Sequence, residues 1–80
     1  MENLQELALD IMEAACETDE VRDDLDLDLF EAGLLDSLAS VAILIELEQK
    51  KGVRLQPTDL SKEDINTVNN FIKFLHEKVG

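Results

Sequence analysis

Over residues 3–16, apolar side chains recur at Leu4, Leu7, Ala8, Ile11 and Ala15, with Met12 at the edge. Glu2, Gln5, Glu6, Asp10, Glu13 and Glu17 fill the other side. Spacings of three and four place residues on one face of a helix, so this stretch predicts a first amphipathic helix. Residues 18–36 have no helical period. There Leu25, Leu27 and Leu29 alternate with aspartates, and Phe30, Gly33, Leu34 and Leu35 follow. A loop this long is uncommon unless it is functional or pinned by its own side chains, and these leucines are numerous enough to pin it against helices. A second helix is expected from Asp36 or Ser37, either of which can cap it, to about Lys51. Gly52 and the two lysines of the last turn supply its stop. Pro57-Thr58-Asp59 marks a loop, and Ser61-Lys62-Glu63-Asp64 reads as a capping box with aspartate in place of glutamate, opening a short helix over 62–65. A last helix, capped at Asn66 or Thr67, places Val68, Phe71, Ile72, Leu75 and Val79 on one stripe. The pattern predicts an all-α fold: a small four-helix bundle of three long helices and one short, with a long loop between the first and second.

The second helix carries more apolar surface than a bundle position requires. At about 100° per residue, Ile43, Leu44 and Leu47 fall on one side together with Ser40, while Leu38, Val41, Ala42 and Ile45 cluster on the opposite side. A surface helix needs one apolar stripe, and this one has two. Enclosing both is hard in so small a bundle. Ile43, Leu44 and Leu47 are therefore expected to point inwards, and Val41 and Ile45 outwards as part of a docking surface edged by Glu46 and Glu48.

Length and composition narrow the classes. Eighty residues make a single domain, residues 1–80, and a chain this short buries only ~60% of the surface it exposes when unfolded. The hydrophobic fraction of 45% is ordinary for a globular protein. No apolar run approaches the ~18 residues of a membrane span, and the N-terminus lacks the order of a signal peptide. The expectation is a soluble, cytoplasmic monomer with no direct membrane insertion. Nineteen Asp and Glu against seven Lys and Arg give a formal charge of −12, which repels nucleic acid and anionic lipid and favours basic patches on other proteins. Cys16 is the only cysteine, so neither an internal disulfide nor a thiolate metal site can be assembled. The Asp24-Leu25-Asp26-Leu27-Asp28 run fails as a calcium loop, because Leu29 stands where the turn glycine is needed and Leu35 where the bidentate glutamate is needed. There is no Gly-rich phosphate loop and no cysteine–histidine pair, and His76 alone could serve as a histidine base. No metal site is expected, and the chain does not read as an enzyme.

Gly33-Leu34-Leu35-Asp36-Ser37-Leu38 stands apart. It puts a serine hydroxyl at the first turn of a helix, where unpaired N–H groups and the helix dipole favour a phosphate ester. On this fragment alone a plain helix cap is the simpler reading. The two-faced helix that follows shifts the balance: a modifiable serine, an adjoining apolar patch and a negative rim together describe a substrate carrier that visits several enzymes. Its docking residues would be Asp36, Leu38, Val41, Ala42, Ile45, Glu46 and Glu48. An acidic helical adaptor that is never modified is the alternative from a different class.

The Asp36-Ser37-Leu38 signature, the acidic four-helix pattern, the chain length and Thr67-Val68 at the start of the last helix resemble the acyl carrier proteins over nearly the whole chain. The resemblance implies that Ser37 receives 4′-phosphopantetheine from coenzyme A through a phosphopantetheinyl transferase, and that the terminal thiol carries an acyl group as a thioester. Phe30 followed by Glu31-Ala32-Gly33-Leu34-Leu35-Asp36-Ser37 is similar to the D-alanyl carriers within that family, as is Asn66-Thr67 followed by Asn69-Asn70. That likeness implies loading by an ATP-dependent D-alanine carrier ligase and delivery through a membrane acyltransferase towards lipoteichoic acid, with the chain a cosubstrate of these enzymes. Leu38, Ile65 and Val68 depart from the Phe, Trp and frequent Pro of D-alanyl carriers. These departures leave open a freestanding carrier for fatty acyl, polyketide or other aminoacyl groups.

Overall fold

In the computed structural model, which describes residues 3–78, each helix begins where a short polar side chain can satisfy its free N–H groups. The Asn3 side-chain oxygen accepts hydrogen bonds from the N–H of Gln5 and Glu6 at 3.0 and 3.3 Å, opening α1 (Leu4–Cys16). Asp36 accepts from Ala39 N–H at 2.9 Å and opens α2 (Ser37–Lys51). Asp64 accepts from both the backbone N–H and the hydroxyl of Ser61, at 3.1 and 2.9 Å, which fixes the single turn of α3 (Lys62–Ile65). The Thr67 hydroxyl oxygen accepts from Asn70 N–H at 3.0 Å and starts α4 (Val68–Lys78). Gly52 ends α2 at φ 67°, a left-handed conformation that costs glycine little. Among the described residues the fold is all helical, with the expected four helices in a small bundle.

Packing centres on α1, which meets both α2 and α4, while α3 packs on α4. The shortest dimension is 19 Å, about two helix diameters, so the bundle is two layers thick. Ile11, Met12, Ile43, Leu47, Val68, Phe71 and Leu75 are sealed completely in the shared core. Leu9 and Phe74 are also buried, beyond the stripes expected from spacing. Contact with two helices widens the face that α1 must cover, and Phe74 stacks on Phe71 with ring centroids 6.3 Å apart. Leu44 was expected inside with Ile43 and Leu47, but it is only half-buried and packs against the rim of the core. Glu2 and Val79 lie outside the described residues.

The segment between α1 and α2 is more ordered than a lack of period suggests. It opens with a 3-10 turn (Asp19–Arg22) that drives Val21 into the core; one such turn is too short to leave a periodic trace. A second 3-10 turn (Pro57–Asp59) occupies what reads in sequence as plain loop. Arg22 pins the first turn to α1 by donating to Glu6, Asp10 and Glu13 at 3.2, 2.7 and 2.7 Å. The aspartates of the alternating run shape local turns: Asp24 accepts from Asp26 N–H, and Asp28 from the N–H of Phe30 and Glu31. Two backbone bonds fasten the segment to the far end of the chain, Leu29 N–H to Asn66 O at 2.7 Å and Asn69 N–H to Leu25 O at 3.1 Å.

Candidate functional site

The approach to Ser37 is built from Leu29. That side chain is buried, and its carbonyl oxygen accepts from the N–H of both Leu34 and Leu35 at 2.9 and 3.1 Å. Gly33, at φ 75°, lets the chain turn back tightly enough for its N–H to reach Phe30 O at 3.2 Å. Leu35 is anchored in the core. Two buried leucines and one left-handed glycine thus deliver Asp36 and Ser37 to the start of α2 in a fixed position.

Asp36 performs the capping, so the Ser37 hydroxyl is spared that role. Ser37 is exposed as the first helical residue, and its carbonyl accepts from the Ser40 hydroxyl at 2.6 Å. Ser37 lines a pocket of about 140 Å³ together with Phe30, Ser40, Leu60, Lys62 and Ile65. A larger cleft of about 510 Å³ between the end of α1 and the start of α2 is lined by its neighbours Asp36 and Leu38 and not by Ser37, with Ala14, Cys16, Leu34 and Ala42 also in its walls. A hydroxyl in the open at the positive end of a helix, with space beside it, suits a bulky phosphate ester.

The two-faced character of α2 is visible in the fold. Ile43 and Leu47 are fully buried, whereas Leu38, Val41 and Ile45 are 80%, 47% and 49% exposed. Ala42 is half-buried. These are the exposed large hydrophobic side chains of the chain's described part, and they lie directly beyond Ser37. Glu46 and Glu48 flank them, but neither is a bare charge: Glu46 pairs with Lys50 at 3.7 Å and Glu48 with Arg54 at 3.3 Å. Spacing showed the edge of the patch and not these partners.

Other candidate chemistry is quiet. Burial of Cys16 pushes its thiol up to about 11, so it stays protonated at neutral pH and is a poor nucleophile. His76 is exposed on α4. Among the described residues no group of three or more His, Cys, Asp or Glu could hold a metal ion. No helix of that part is long and apolar enough to cross a membrane.

Set against known proteins, residues 4–75 match the family described as phosphopantetheine attachment site. The chain is 41% identical over 75 residues to a D-alanyl carrier protein of Lactococcus lactis subsp. lactis (strain IL1403), an alignment covering 94% of this chain and 95% of that protein. It is 39% identical over 77 residues to a D-alanyl carrier protein of Bacillus cereus (strain B4264), covering 96% and 98%. The chain belongs to the phosphopantetheine-bearing carrier proteins. Its role is that of a carrier and not of a catalyst, its covalent cofactor is 4′-phosphopantetheine, and D-alanyl carrier proteins are among its relatives.

Proposed function

We propose that Ser37 is the attachment residue and that the cargo is D-alanine, held for transfer towards lipoteichoic acid. The carrying observation is the division of labour at the start of α2, where Asp36 caps the helix and leaves an exposed serine hydroxyl on its first residue. When bound, the cofactor supplies a terminal thiol on which the cargo rides as a thioester. The residues of the chain do the rest. Leu29 and Leu35 hold the attachment point still, and Leu38, Val41, Ala42 and Ile45 offer the apolar surface on which enzymes settle. Asp36 supplies negative charge at its edge, where Glu46 and Glu48 stand paired with Lys50 and Arg54. The partners on this reading are a phosphopantetheinyl transferase, a D-alanine carrier ligase and a membrane acyltransferase, each using the chain as cosubstrate.

The cargo assignment rests on relatives named for D-alanine at about 40% identity over nearly full length. Two of the three departures from D-alanyl carriers, Ile65 and Val68, are sealed in the core, where they bear on packing. Only Leu38 lies on the exposed face, where a change bears on partner choice. That residue favours keeping a second reading in view, a freestanding carrier for fatty acyl, polyketide or other aminoacyl groups.

One experiment tests both levels. The purified chain is incubated with coenzyme A and a phosphopantetheinyl transferase, and its intact mass is recorded. Wild type should gain one phosphopantetheinyl group and Ser37→Ala none, with Ser37→Ala keeping its thermal transition because the Asp36 cap remains. Modified Ser37→Ala protein would sink the attachment site. The holo form is then offered to a D-alanine carrier ligase with ATP and D-alanine, and separately to a fatty acyl transferase. Charging by the second and not the first would replace D-alanine with the broader reading.

A further inference from the structure

Cations are scarce in this chain, and most of those near acids are taken. Arg22 is held by three carboxylates, Lys50 by Glu46 and Arg54 by Glu48. Lys62 is different. It is exposed on the first residue of α3, and its ammonium sits over the Phe30 ring, 4.8 Å from the centroid. Among the described residues that ring is its partner, and no carboxylate is. The same two side chains wall the small pocket that Ser37 opens into.

We propose that Lys62 is the counter-ion of the phosphodiester at Ser37, and that the Phe30 ring is where its ammonium rests before modification. The proposal rests on Ser37 being the attachment residue. A phosphodiester brings one negative charge and unesterified oxygens that accept hydrogen bonds. A charge-assisted N–H···O bond is stronger than an exposed contact with a ring face, so the ammonium has reason to leave Phe30 when the phosphate arrives. Its stem is flexible and already stands in the pocket wall, so the exchange needs rotation of one side chain and no movement of a helix. Pairing holds the root of the arm on the α3 flank of Ser37. The Leu38, Val41 and Ile45 face of α2 is then left clear for enzymes, with the arm emerging beside it.

Phosphorus NMR of the holo protein reads this pairing directly. Wild type, Lys62→Gln and Lys62→Arg are converted to holo forms, and intact mass is checked first. Absence of a mass gain on wild type would count against the attachment residue itself, separately from Lys62. With all three modified, Lys62→Gln should move the phosphorus resonance and slow its transverse relaxation, as the arm root gains freedom, and Lys62→Arg should restore both. The ε-methylene protons of Lys62, shifted upfield by the Phe30 ring in the apo protein, should lose that shift in the holo protein. Phosphorus signals that are the same in wild type and Lys62→Gln, a Lys62→Arg protein that behaves like Lys62→Gln, or ε-methylene shifts unchanged between apo and holo would each overturn the proposal.

Discussion

Ile43 and Ile45 carry the same side chain two residues apart, yet one is completely buried and the other 49% exposed. Their truncations should therefore separate stability from recognition. Ile43→Ala empties a core site and should cost about 2–5 kcal/mol, a large share of the ~5–15 kcal/mol available to a domain. Ile45→Ala should change stability by no more than about 0.5 kcal/mol while slowing modification by the phosphopantetheinyl transferase. Chemical denaturation of the two variants, paired with a modification-rate assay, measures both halves. Equal destabilisation would mean that α2 is enclosed on both sides. Leu44 lies between these extremes, because its half-buried position gives a truncation less to lose than at Ile43.

Whole elements were legible in the sequence to the extent that local rules decide them. The four helices begin where their caps place them and α2 ends at its glycine, since an N-cap such as Asp36 or a left-handed Gly52 acts within one turn, whereas α1 ends at a left-handed Glu17 that no stop signal marks. Burial of Leu9 and Phe74 was not legible, because it depends on how many neighbours a helix acquires. Nor was the turn at Asp19–Arg22, whose single buried Val21 has no period to reveal it. One signal was there to be used. Arg22 is the only Lys or Arg before Lys50, and Glu6, Asp10 and Glu13 stand four and three residues apart on the polar side of α1. Such a row repels itself unless a cation closes it. Arg22→Gln should therefore loosen the turn without unfolding the bundle. Hydrogen exchange should show faster amides over residues 19–25 with the α4 amides unchanged, and uniform acceleration would mean that the clamp supports the whole fold. At the candidate site, the apolar face could be read from spacing and the place of Ser37 from the helix start, whereas Lys62 beside Ser37 could not. Its place depends on how α3 folds back onto the long segment.

For the molecule as a whole, a charge of −12 is spread well beyond the α2 patch. Glu46 and Glu48 already have basic partners, so attraction of an enzyme must come largely from the combined field. Association with the phosphopantetheinyl transferase should then fall by about tenfold or more between low salt and roughly 0.5 M salt, as the screening length shrinks below ~10 Å. Stopped-flow association rates across that range provide the measurement, and rates that ignore salt would leave the acidic surface as a solubility device.

The two bonds joining Leu25 and Leu29 to Asn69 and Asn66 have a bearing on when the candidate site comes into being. They close a loop between distant parts of the chain, a kind of contact that forms late because its entropy must be lost before packing compensates. During synthesis, Asp36-Ser37-Leu38 leaves the ribosome well before the residues that fasten the approach to it. Until α4 docks, a nascent chain would lack these two bonds, and the motif would be held only by its local turns. An enzyme that reads shape as well as sequence would pass over such chains, and the fold would then act as an inspection step before a cofactor is committed.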